Sequence, residues 1–303
     1  MSEATTTVER RRPLTPEEAA TLSDGQTWAR EAYSTFIHQS TALLLPRGEQ
    51  SLDEAGTGLL LLTANGTPFV LTARHLVEEL GDGATAAIMS PNLGDVRIST
   101  IGEHVFLGPT RRGNPDDEHV NVDVAAIALS RATRERLAGI PGASVAADST
   151  QGEADLIAIA GFPGRYTKVD VVHAQRTVYV GVTPLLYVTG INGRDQHGRL
   201  EVEWERGTSI WGLPEDSRFE VGPDRTFQLC SPHGVSGGGV WRIRGPRHKT
   251  EGLWSPSTHC ELIGIASAVL GRVEFAEPIE LWADWLGTVQ RNIDSLAGLA
   301  TTP

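Results

Sequence analysis

A chain of 303 residues with 40% hydrophobic and 21% charged residues can bury a sizeable core, as one two-lobed unit or as two small domains. Its formal net charge of −12 argues against a nucleic-acid partner, because phosphate binding depends on concentrated Lys and Arg. The longest apolar runs, such as residues 59–62, are too short to span a bilayer, and residues 1–40 contain no apolar signal segment. We therefore expect a cytoplasmic protein that neither binds nucleic acid nor enters a membrane.

The N-terminal segment, residues 1–40, is predicted to contain a polar tail and one helix. The tail is expected to be disordered up to about residue 14. "TPEE", Thr15 to Glu18, then supplies an N-cap, a proline at the first helical position and an acid at the third. These signals predict a helix that runs to about Ile37.

Short apolar runs punctuated by Gly, Pro, Asn and Asp begin at residue 41, and their spacing is typical of antiparallel β-structure. The first series consists of "TALLLP", "GTGLLLLTANG", "PFVLTARHLV", "ATAAIMS", "DVRIST" and "VDVAAIAL". The second series starts near residue 154 and consists of "ADLIAIAGFPG", "DVVHAQRTVYVG", "LLYVTG", "LEVEW", "RTFQLC", "GVWRI" and "ELIGIASAV". Between the two series, "SRATRERLAGIPGAS" predicts a short helix and a linker.

The end of the chain, "EPIELWADWLGTVQRNIDSLAGL", predicts an amphipathic helix. We interpret its apolar residues at helical spacing as core-facing: Ile279, Leu281, Trp282, Trp285 and Leu286. The sequence therefore predicts an all-β dominated fold of two packed antiparallel β-barrels with an N-terminal and a C-terminal helix. The expected boundaries are 41–145 for the first barrel, 146–276 for the second, and 277–303 for the C-terminal helix and tail.

Three residues have the types needed for nucleophilic catalysis, although each has a plainer interpretation. His75 follows the apolar strand of "LTARH", where a lone histidine is more often structural. Asp123 precedes the apolar strand "VAAIAL", where an aspartate is often only a cap or a turn residue. Ser236 lies within "HGVSGGGVW", which can be a plain glycine loop. Together the three residues follow one known chain order of a Ser-His-Asp triad.

The chain resembles trypsin-like serine peptidases of the chymotrypsin fold in four motifs over roughly residues 40 to 298: "LTARH", "DVAAIAL", "GVSGG" and "GIASAV". The resemblance implies two barrels with the active site between them. It implies that Ser236 attacks a peptide carbonyl, that His75 takes and returns the proton, and that Asp123 holds the imidazole tautomer. It also implies that the N–H groups of Gly234 and Ser236 form the oxyanion hole.

The same resemblance implies a substrate pocket that includes Cys230, Ser267 and Val269. Cys230 is small and neutral where an aspartate would select Lys or Arg, and the β-branched Val269 would narrow the entrance. We therefore expect a shallow, uncharged pocket and cleavage after small or medium apolar residues such as Ala, Val or Leu. Ser267 is also expected to support Asp123, as a serine in this motif often does in the family.

Val235 stands where secreted, zymogen-activated trypsins have an aspartate that pairs with a newly cut amino terminus. Because Val235 carries no charge, we do not expect activation by cleavage, and this trait resembles bacterial and viral members. We expect a bacterial, intracellular peptidase that acts on a protein or peptide substrate. An uncontrolled peptidase in the cytoplasm would be harmful, so we also expect gating by a regulatory protein partner, by a ligand or by narrow specificity.

Two other interpretations of the serine motif differ in function. "GVSGG" also fits the nucleophile elbow of α/β-hydrolases, but a predicted strand, "VWRIRG", follows it where that fold needs a helix. The last histidine of the chain, His259, also follows Ser236 too closely for that fold. The alternative that stays open is a non-catalytic trypsin-like fold that serves as a binding or assembly module.

No cofactor is expected from the sequence. Cys230 and Cys260 are too few for a disulfide framework or a four-thiolate metal site, although one bridge between them stays open. No cluster of His, Cys and Asp has the spacing of metal ligands. "GTG" at 56–58 opens no helix, as a nucleotide-binding loop would.

Overall fold

The computed structural model describes residues 29, 31–45, 56–80, 85–89, 96–100, 104–111, 120–137, 142–152, 155–162, 167–172, 177–182, 185–203, 210–211, 234–244, 255–270 and 273–299. His75, Asp123 and Ser236 lie in these ranges, whereas Cys230 and the expected start of the N-terminal helix lie outside them. No helix in these ranges is long and apolar enough to cross a membrane.

The first half of the described chain forms an antiparallel sheet. Its strands are Thr41–Leu45 (β1), Gly56–Leu62 (β2), Pro68–Thr72 (β3), Thr85–Met89 (β4), Val96–Thr100 (β5), His104–Leu107 (β6), Thr110–Arg111 (β7), Val120–Asn121 (β8) and Ala125–Ala128 (β9). Among the described residues, seven strands form the sheet in the spatial order β5-β4-β1-β2-β3-β9-β6, and β7 pairs with β8. The spatial order brings β3, which precedes His75 in the chain, beside β9, which follows Asp123.

The second half forms another antiparallel sheet. Its strands are Asp155–Gly161 (β10), Thr167–Val172 (β11), Thr177–Val182 (β12), Leu185–Thr189 (β13), Ile191–Arg194 (β14), Leu200–Glu203 (β15), Ile210–Trp211 (β16), Gly239–Arg244 (β17), Cys260–Leu270 (β18) and Val273–Pro278 (β19). In the described part of the chain, eight of these strands follow the order β14-β15-β19-β18-β17-β10-β13-β16. The run "DVVHAQRTVYVG" holds two strands, β11 and β12, which pair with each other because the polar "HAQR" interrupts its apolar pattern.

The central strands bury side chains on both faces of each sheet, which is why their sequences are continuous apolar runs. One face of both sheets contributes to a core that we call the shared core: it includes Leu59, Leu61, Phe69 and Leu71 from the first sheet and Ala158, Ala160, Trp241 and Ile243 from the second. The opposite face of the first sheet forms a first inner cluster, with Ala42, Leu44, Leu60, Val70, Leu76 and Ile127 among its members. The opposite face of the second sheet forms a second inner cluster, with Ile157, Ile159, Val202, Val235, Val240, Ala266 and Ala276 among its members. Both faces of the central strands are therefore buried, and period-2 polarity is lost.

Helices connect and cover the sheets. They are Arg74–Leu80 (α1), Arg131–Arg136 (α2), Pro256–His259 (α3) and Ala283–Leu299 (α4), and a 3₁₀ turn at Ile279–Leu281 precedes α4. α2 lies where the sequence predicts a short helix, and the Ser130 hydroxyl caps it by accepting from the Thr133 N–H at 3.3 Å. Ile279, Trp282 and Leu286 are buried in the shared core, and Leu281 and Trp285 pack against it while partly exposed.

The described part of the N-terminal helix ends later than the sequence predicts. A π-helical turn over Tyr33–Ile37 continues into an α-helical turn over His38–Ser40. The helical structure reaches Ser40 because the Ser40 and Thr41 hydroxyls donate to the Ile37 carbonyl, at 3.1 and 2.7 Å, and so satisfy the carbonyl groups of the last turn.

The predicted fold class, two packed antiparallel β-structures with a helix at each end, is confirmed by these sheets and helices. The connection between the two sheets bonds to both of them. Ala143 donates its N–H to the Leu60 carbonyl at 3.2 Å, and Ala146 donates to Leu262 at 2.9 Å. The two sheets are therefore held together by the shared core and by the backbone of the segment that joins them.

Candidate active site

His75 and Asp123 are brought together by the pairing of β3 with β9. Thr72, the last residue of β3, faces Ala125, the first residue of β9. Because the strands are antiparallel, the residues that follow β3 meet the residues that precede β9. His75 Nδ1 and Asp123 Oδ2 are 2.7 Å apart, and the His75 backbone N–H donates to Asp123 Oδ1 at 2.9 Å. The carboxylate thus holds one ring nitrogen and leaves Nε2 of His75 as the group that can accept a proton.

The charge on His75 is set by burial and by nearby carboxylates. Burial lowers the pKa of His75, but its hydrogen bond and charge interaction with Asp123, and the charges of Glu79 and Glu78, raise it. The net pKa of His75 lies above its usual value of 6.5. About a third of the His75 side chain, 34%, is exposed, so a ligand in the adjacent space can reach it. This is the electrostatic arrangement of an imidazole that is ready to take up a proton.

Ser236 lies in a tight turn, Gly234 to Gly237, that leads into β17. Gly234 has a φ of +92° and Gly237 a φ of +80°, a backbone region that side chains rarely adopt, so glycine is required at both positions. The Gly237 N–H donates to the Ala266 carbonyl at 2.7 Å, which fixes the turn to β18. The N–H groups of Gly234 and Ser236 donate no hydrogen bond to any residue that the structure describes. Within the described residues, the turn therefore carries two backbone donors that are not engaged in holding it together.

The Ser236 turn packs against the part of the first sheet that carries His75. The Ser236 carbonyl accepts from the Thr57 N–H at 2.9 Å. A Cβ at Gly237 would overlap the Thr57 carbonyl and the Thr72 hydroxyl and would lie 3.0 Å from Leu76 Cδ1. Since Thr72 and Leu76 lie on either side of His75 in the chain, the serine turn and the histidine occupy adjacent places at the junction of the two sheets.

This meeting point identifies the fold. A histidine and an aspartate from the first sheet lie where a serine turn from the second sheet packs against it. The chain has a trypsin-like peptidase fold. No hydrogen bond joins the Ser236 hydroxyl to His75 among the described residues. In free enzymes such bonds are often long and tighten only when substrate binds.

Comparisons with known proteins find similarity among solved structures alone. No protein-family model matches the chain, and no curated protein matches it. Among solved structures, it is similar to the Rv3671c protease in its inactive form, with 15% identity and a TM-score of 0.41 over 86% of this chain and 94% of that chain. It is also similar to the scabies mite inactivated protease paralogue S-I1, with 17% identity and a TM-score of 0.47 over 87% of this chain and 96% of that chain. At such identities the likeness concerns the fold alone.

The structure describes two of the three residues that were expected in the substrate pocket, Ser267 and Val269. Cys230 lies outside the described residues, as does His233 beside the turn. Val269 lies in β18 opposite Glu274 of β19. Ser267 also lies in β18, but its hydroxyl donates to the Phe275 carbonyl at 3.1 Å and not to Asp123 as expected. The Ser267 hydroxyl bonds to the neighbouring strand β19 because the hydrogen-bond register between β18 and β19 shifts between Ala266 and Ala268.

Val235 and Cys260 are both buried. Val235 is fully buried in the second inner cluster. As a valine it has no charged group that could pair with a newly cut amino terminus. Cys260 is a free thiol in the shared core, and burial and the charge of Glu261 raise its pKa to about 12. No group of three or more His, Cys, Asp or Glu side chains that could hold a metal ion is present in the described ranges.

Two residues of this region were not singled out by the sequence. Thr57 lies within "GTG", a sequence that does not fit a nucleotide-binding loop, and it contacts the serine turn directly. Glu274, in β19, is fully buried, and neither of its carboxylate oxygens has a hydrogen-bond partner within the described residues. A threonine between two glycines at the start of a strand was the available signal for the first. The alternation of "VEFAEP" gives no sign that a glutamate faces inward.

Proposed function

We propose that this chain is a serine endopeptidase in which Ser236, His75 and Asp123 form the catalytic triad. The observation that carries the proposal is the hydrogen bond of 2.7 Å between His75 Nδ1 and Asp123 Oδ2, beside the packed turn that holds Ser236. A carboxylate bound to one imidazole nitrogen fixes the tautomer in which the other nitrogen acts as a base. The His75–Asp123 pair beside the Ser236 turn therefore supports activation of the serine hydroxyl, whereas a plain glycine loop would need no such pair.

The reaction follows from these groups. His75 Nε2 takes the Ser236 hydroxyl proton as Oγ attacks the carbonyl carbon of a peptide bond, and the carbonyl oxygen becomes negatively charged. The C–N bond then breaks, the amine leaves with the proton from His75, and an acyl-enzyme ester remains on Ser236. Water attacks this ester with the same proton transfers in reverse order, which releases the acid and restores the serine. Asp123 stabilises the imidazolium without taking its proton.

The oxyanion hole is proposed to consist of the Gly234 and Ser236 N–H groups. Both belong to the turn and neither donates a hydrogen bond to a described residue, which supports this role. Each donor of this kind is typically worth ~3–4 kcal/mol of the activation barrier. The glycines of "HGVSGGGVW" then have a chemical reason, because a side chain would prevent the backbone from approaching the developing charge.

A fluorophosphonate probe tests the proposal directly. Ser236 Oγ would bond to phosphorus and displace fluoride, while His75 takes the hydroxyl proton. We expect the wild type to be labelled at Ser236, as peptide mass spectrometry would show. Ser236→Ala should abolish labelling, and His75→Ala should lower peptidase turnover by about 10⁴-fold or more. The double variant should be hardly worse, because the two residues act as a unit.

A non-catalytic trypsin-like module is the second candidate. It is favoured by the lack of a hydrogen bond between the Ser236 hydroxyl and His75 among the described residues. A folded wild type that the probe does not label, or that is labelled equally after His75→Ala, would decide for the module.

The specificity, location and partners expected from the sequence are part of the proposal. The substrate is a protein or peptide in the cytoplasm, a regulatory partner, a ligand or narrow specificity limits the activity, and cleavage follows small or medium apolar residues. A peptide library cleaved by the wild type and sequenced by mass spectrometry checks the last point. A preference for Arg or Lys would contradict the uncharged pocket and would make the buried carboxylate of Glu274 the first group to test as their partner.

A further inference from the structure

Thr57, in β2, makes three hydrogen bonds that join the first sheet to the serine turn and to the end of β10, and a fourth to Thr72 within the first sheet. Its backbone N–H donates to the Ser236 carbonyl at 2.9 Å, and its hydroxyl donates to the Gly234 carbonyl at 2.6 Å. The same hydroxyl accepts from the Phe162 N–H at 2.9 Å, and the Thr57 carbonyl accepts from the Thr72 hydroxyl at 2.7 Å. Thr57 is fully buried, so the protein alone satisfies these groups.

The hydroxyl of Thr57 holds the least constrained part of the turn. Gly234 has no Cβ and a φ of +92°, so its carbonyl has no side chain of its own to limit rotation. The Thr57 hydroxyl fixes this carbonyl, and the Thr57 N–H fixes the carbonyl of Ser236. These two bonds hold the carbonyl groups that come before and after the Ser236 Cα in the turn.

We infer that Thr57 is a positioning residue for the reaction at Ser236. By holding the Gly234 carbonyl, its hydroxyl keeps the turn in the shape that presents Ser236 Oγ and the N–H groups of Gly234 and Ser236 to one carbonyl group. Thr57 acts through Gly234 and does not touch the substrate. The inference rests on the proposed peptidase function and deepens it, because it names a residue of the opposite sheet on which the serine turn depends.

The expected effect is on the chemical step. A misplacement of about 1 Å in a site of this kind costs about 100-fold in rate, whereas binding of the rest of the substrate is little affected. Thr57→Val removes only the hydroxyl and keeps the shape and the backbone N–H. The Gly234 carbonyl and the Phe162 N–H are then left without their partner, and the turn is free to move.

The experiment measures phosphonylation by a fluorophosphonate probe as a function of probe concentration, which separates the maximal rate from the half-saturating concentration. We expect Thr57→Val to lower the maximal rate by about 10- to 100-fold, with less than a threefold change in the half-saturating concentration. Thr57→Ser, which retains the hydroxyl, is expected to stay within a few-fold of the wild type. Thr57→Ala also removes the hydroxyl and serves if the valine variant does not fold.

Thr41→Val is the matched control. Thr41 is another buried threonine of the first sheet, and its hydroxyl donates to the Ile37 carbonyl at 2.7 Å, away from the serine turn. It should lose stability as Thr57→Val does, yet keep the wild-type maximal rate. Equal rates in Thr57→Val and the wild type, or equal losses in both valine variants, would overturn the positioning role while the triad stands. A wild type that the probe does not label would overturn the proposed function and the positioning role with it.

Discussion

At the scale of single residues, several carboxylates act on the imidazole of His75 and raise its pKa. Asp123 is bonded to His75, whereas Glu79, in α1, acts on it through charge alone. In the proposed reaction the base must be neutral to take the serine proton, so we expect the activity to fall as the pH drops through the pKa of His75. The interactions that orient the ring therefore also raise the acid limit, which is the pH below which the proposed activity is lost.

Glu79→Gln is expected to shift this acid limit to lower pH. Removing a negative charge lowers the pKa of His75, so that the neutral form persists in more acidic solution. The shift should be a few tenths of a pH unit, because exposed charges are screened, and it should shrink in high salt. The pH profile of probe labelling measures it, and Glu135→Gln, in α2, is the control. A shift to higher pH, or an equal shift in the control, would contradict this view of His75.

The sequence predicted the two residues that meet and missed the one that supports the turn. His75 and Asp123 each stand beside an apolar run, and the pairing of those runs as neighbouring strands brings them together. Thr57 contacts Gly234, a residue 177 positions away, through a side chain that propensity and period treat like any other strand threonine. Ser267 was assigned to Asp123 by its motif, but an irregularity in the β18–β19 ladder, which the motif does not encode, gives its hydroxyl to Phe275.

At the scale of elements, β19 carries a carboxylate into the interior of the second sheet. Glu274 pairs with Val202 of β15 and lies on the same face of β19 as Ala276. Val202 and Ala276 are both members of the second inner cluster. Burial raises the pKa of Glu274 well above its usual value of 4.5. The folded protein therefore holds a proton that the unfolded chain releases above pH 4.5. Stability is highest below the unfolded-state pKa and falls as the pH rises through the raised pKa of the folded state.

Glu274→Gln is expected to raise the free energy of unfolding by about 1–3 kcal/mol at pH 8, because the amide has no charged form whose burial opposes folding. The gain should diminish towards pH 5, where the wild-type carboxyl is already protonated. Urea unfolding at both pH values measures it.

Glu280→Gln is the control of opposite sign. Burial raises the pKa of Glu280, but hydrogen bonds from Ser149 and the charge of Arg194 lower it below its usual value. Glu280 therefore stabilises the fold at neutral pH, and this contribution is lost as the pH falls. A Glu274→Gln variant that is less stable than the wild type at pH 8 would show that the carboxylate has a partner.

At the scale of the whole molecule, the shared core makes the two sheets depend on each other and on α4. Trp282 is fully buried in this core, and its indole N–H donates to the Glu277 carbonyl at 3.0 Å. Asp294, in α4, accepts from the Thr63 hydroxyl at 2.5 Å and from Asn65 at 2.9 Å, at the turn between β2 and β3. The C-terminal helix thus follows the second sheet in the chain and bonds to the first.

We expect the two sheets to unfold in a single transition because they share this core. Circular dichroism and probe labelling should be lost at the same urea concentration. Trp282→Ala should lower the free energy of unfolding by about 3–5 kcal/mol while the two signals still coincide. Trp285→Ala, at a partly exposed position, should cost less. Loss of labelling well below the circular-dichroism transition would show that the halves separate before they unfold.

The shared core also bears on how the chain is made. During synthesis, His75 and Asp123 leave the ribosome before Ser236, and α4, which contributes to the shared core, leaves after Ser236. Until both sheets and α4 have been made, apolar residues of the shared core lack part of their cover, and the nascent chain presents a surface of the kind that chaperones bind. The proposed nucleophile and its base meet only when the sheets pack together. We therefore expect the proposed peptidase activity to be absent until the second sheet has been synthesised and has packed against the first.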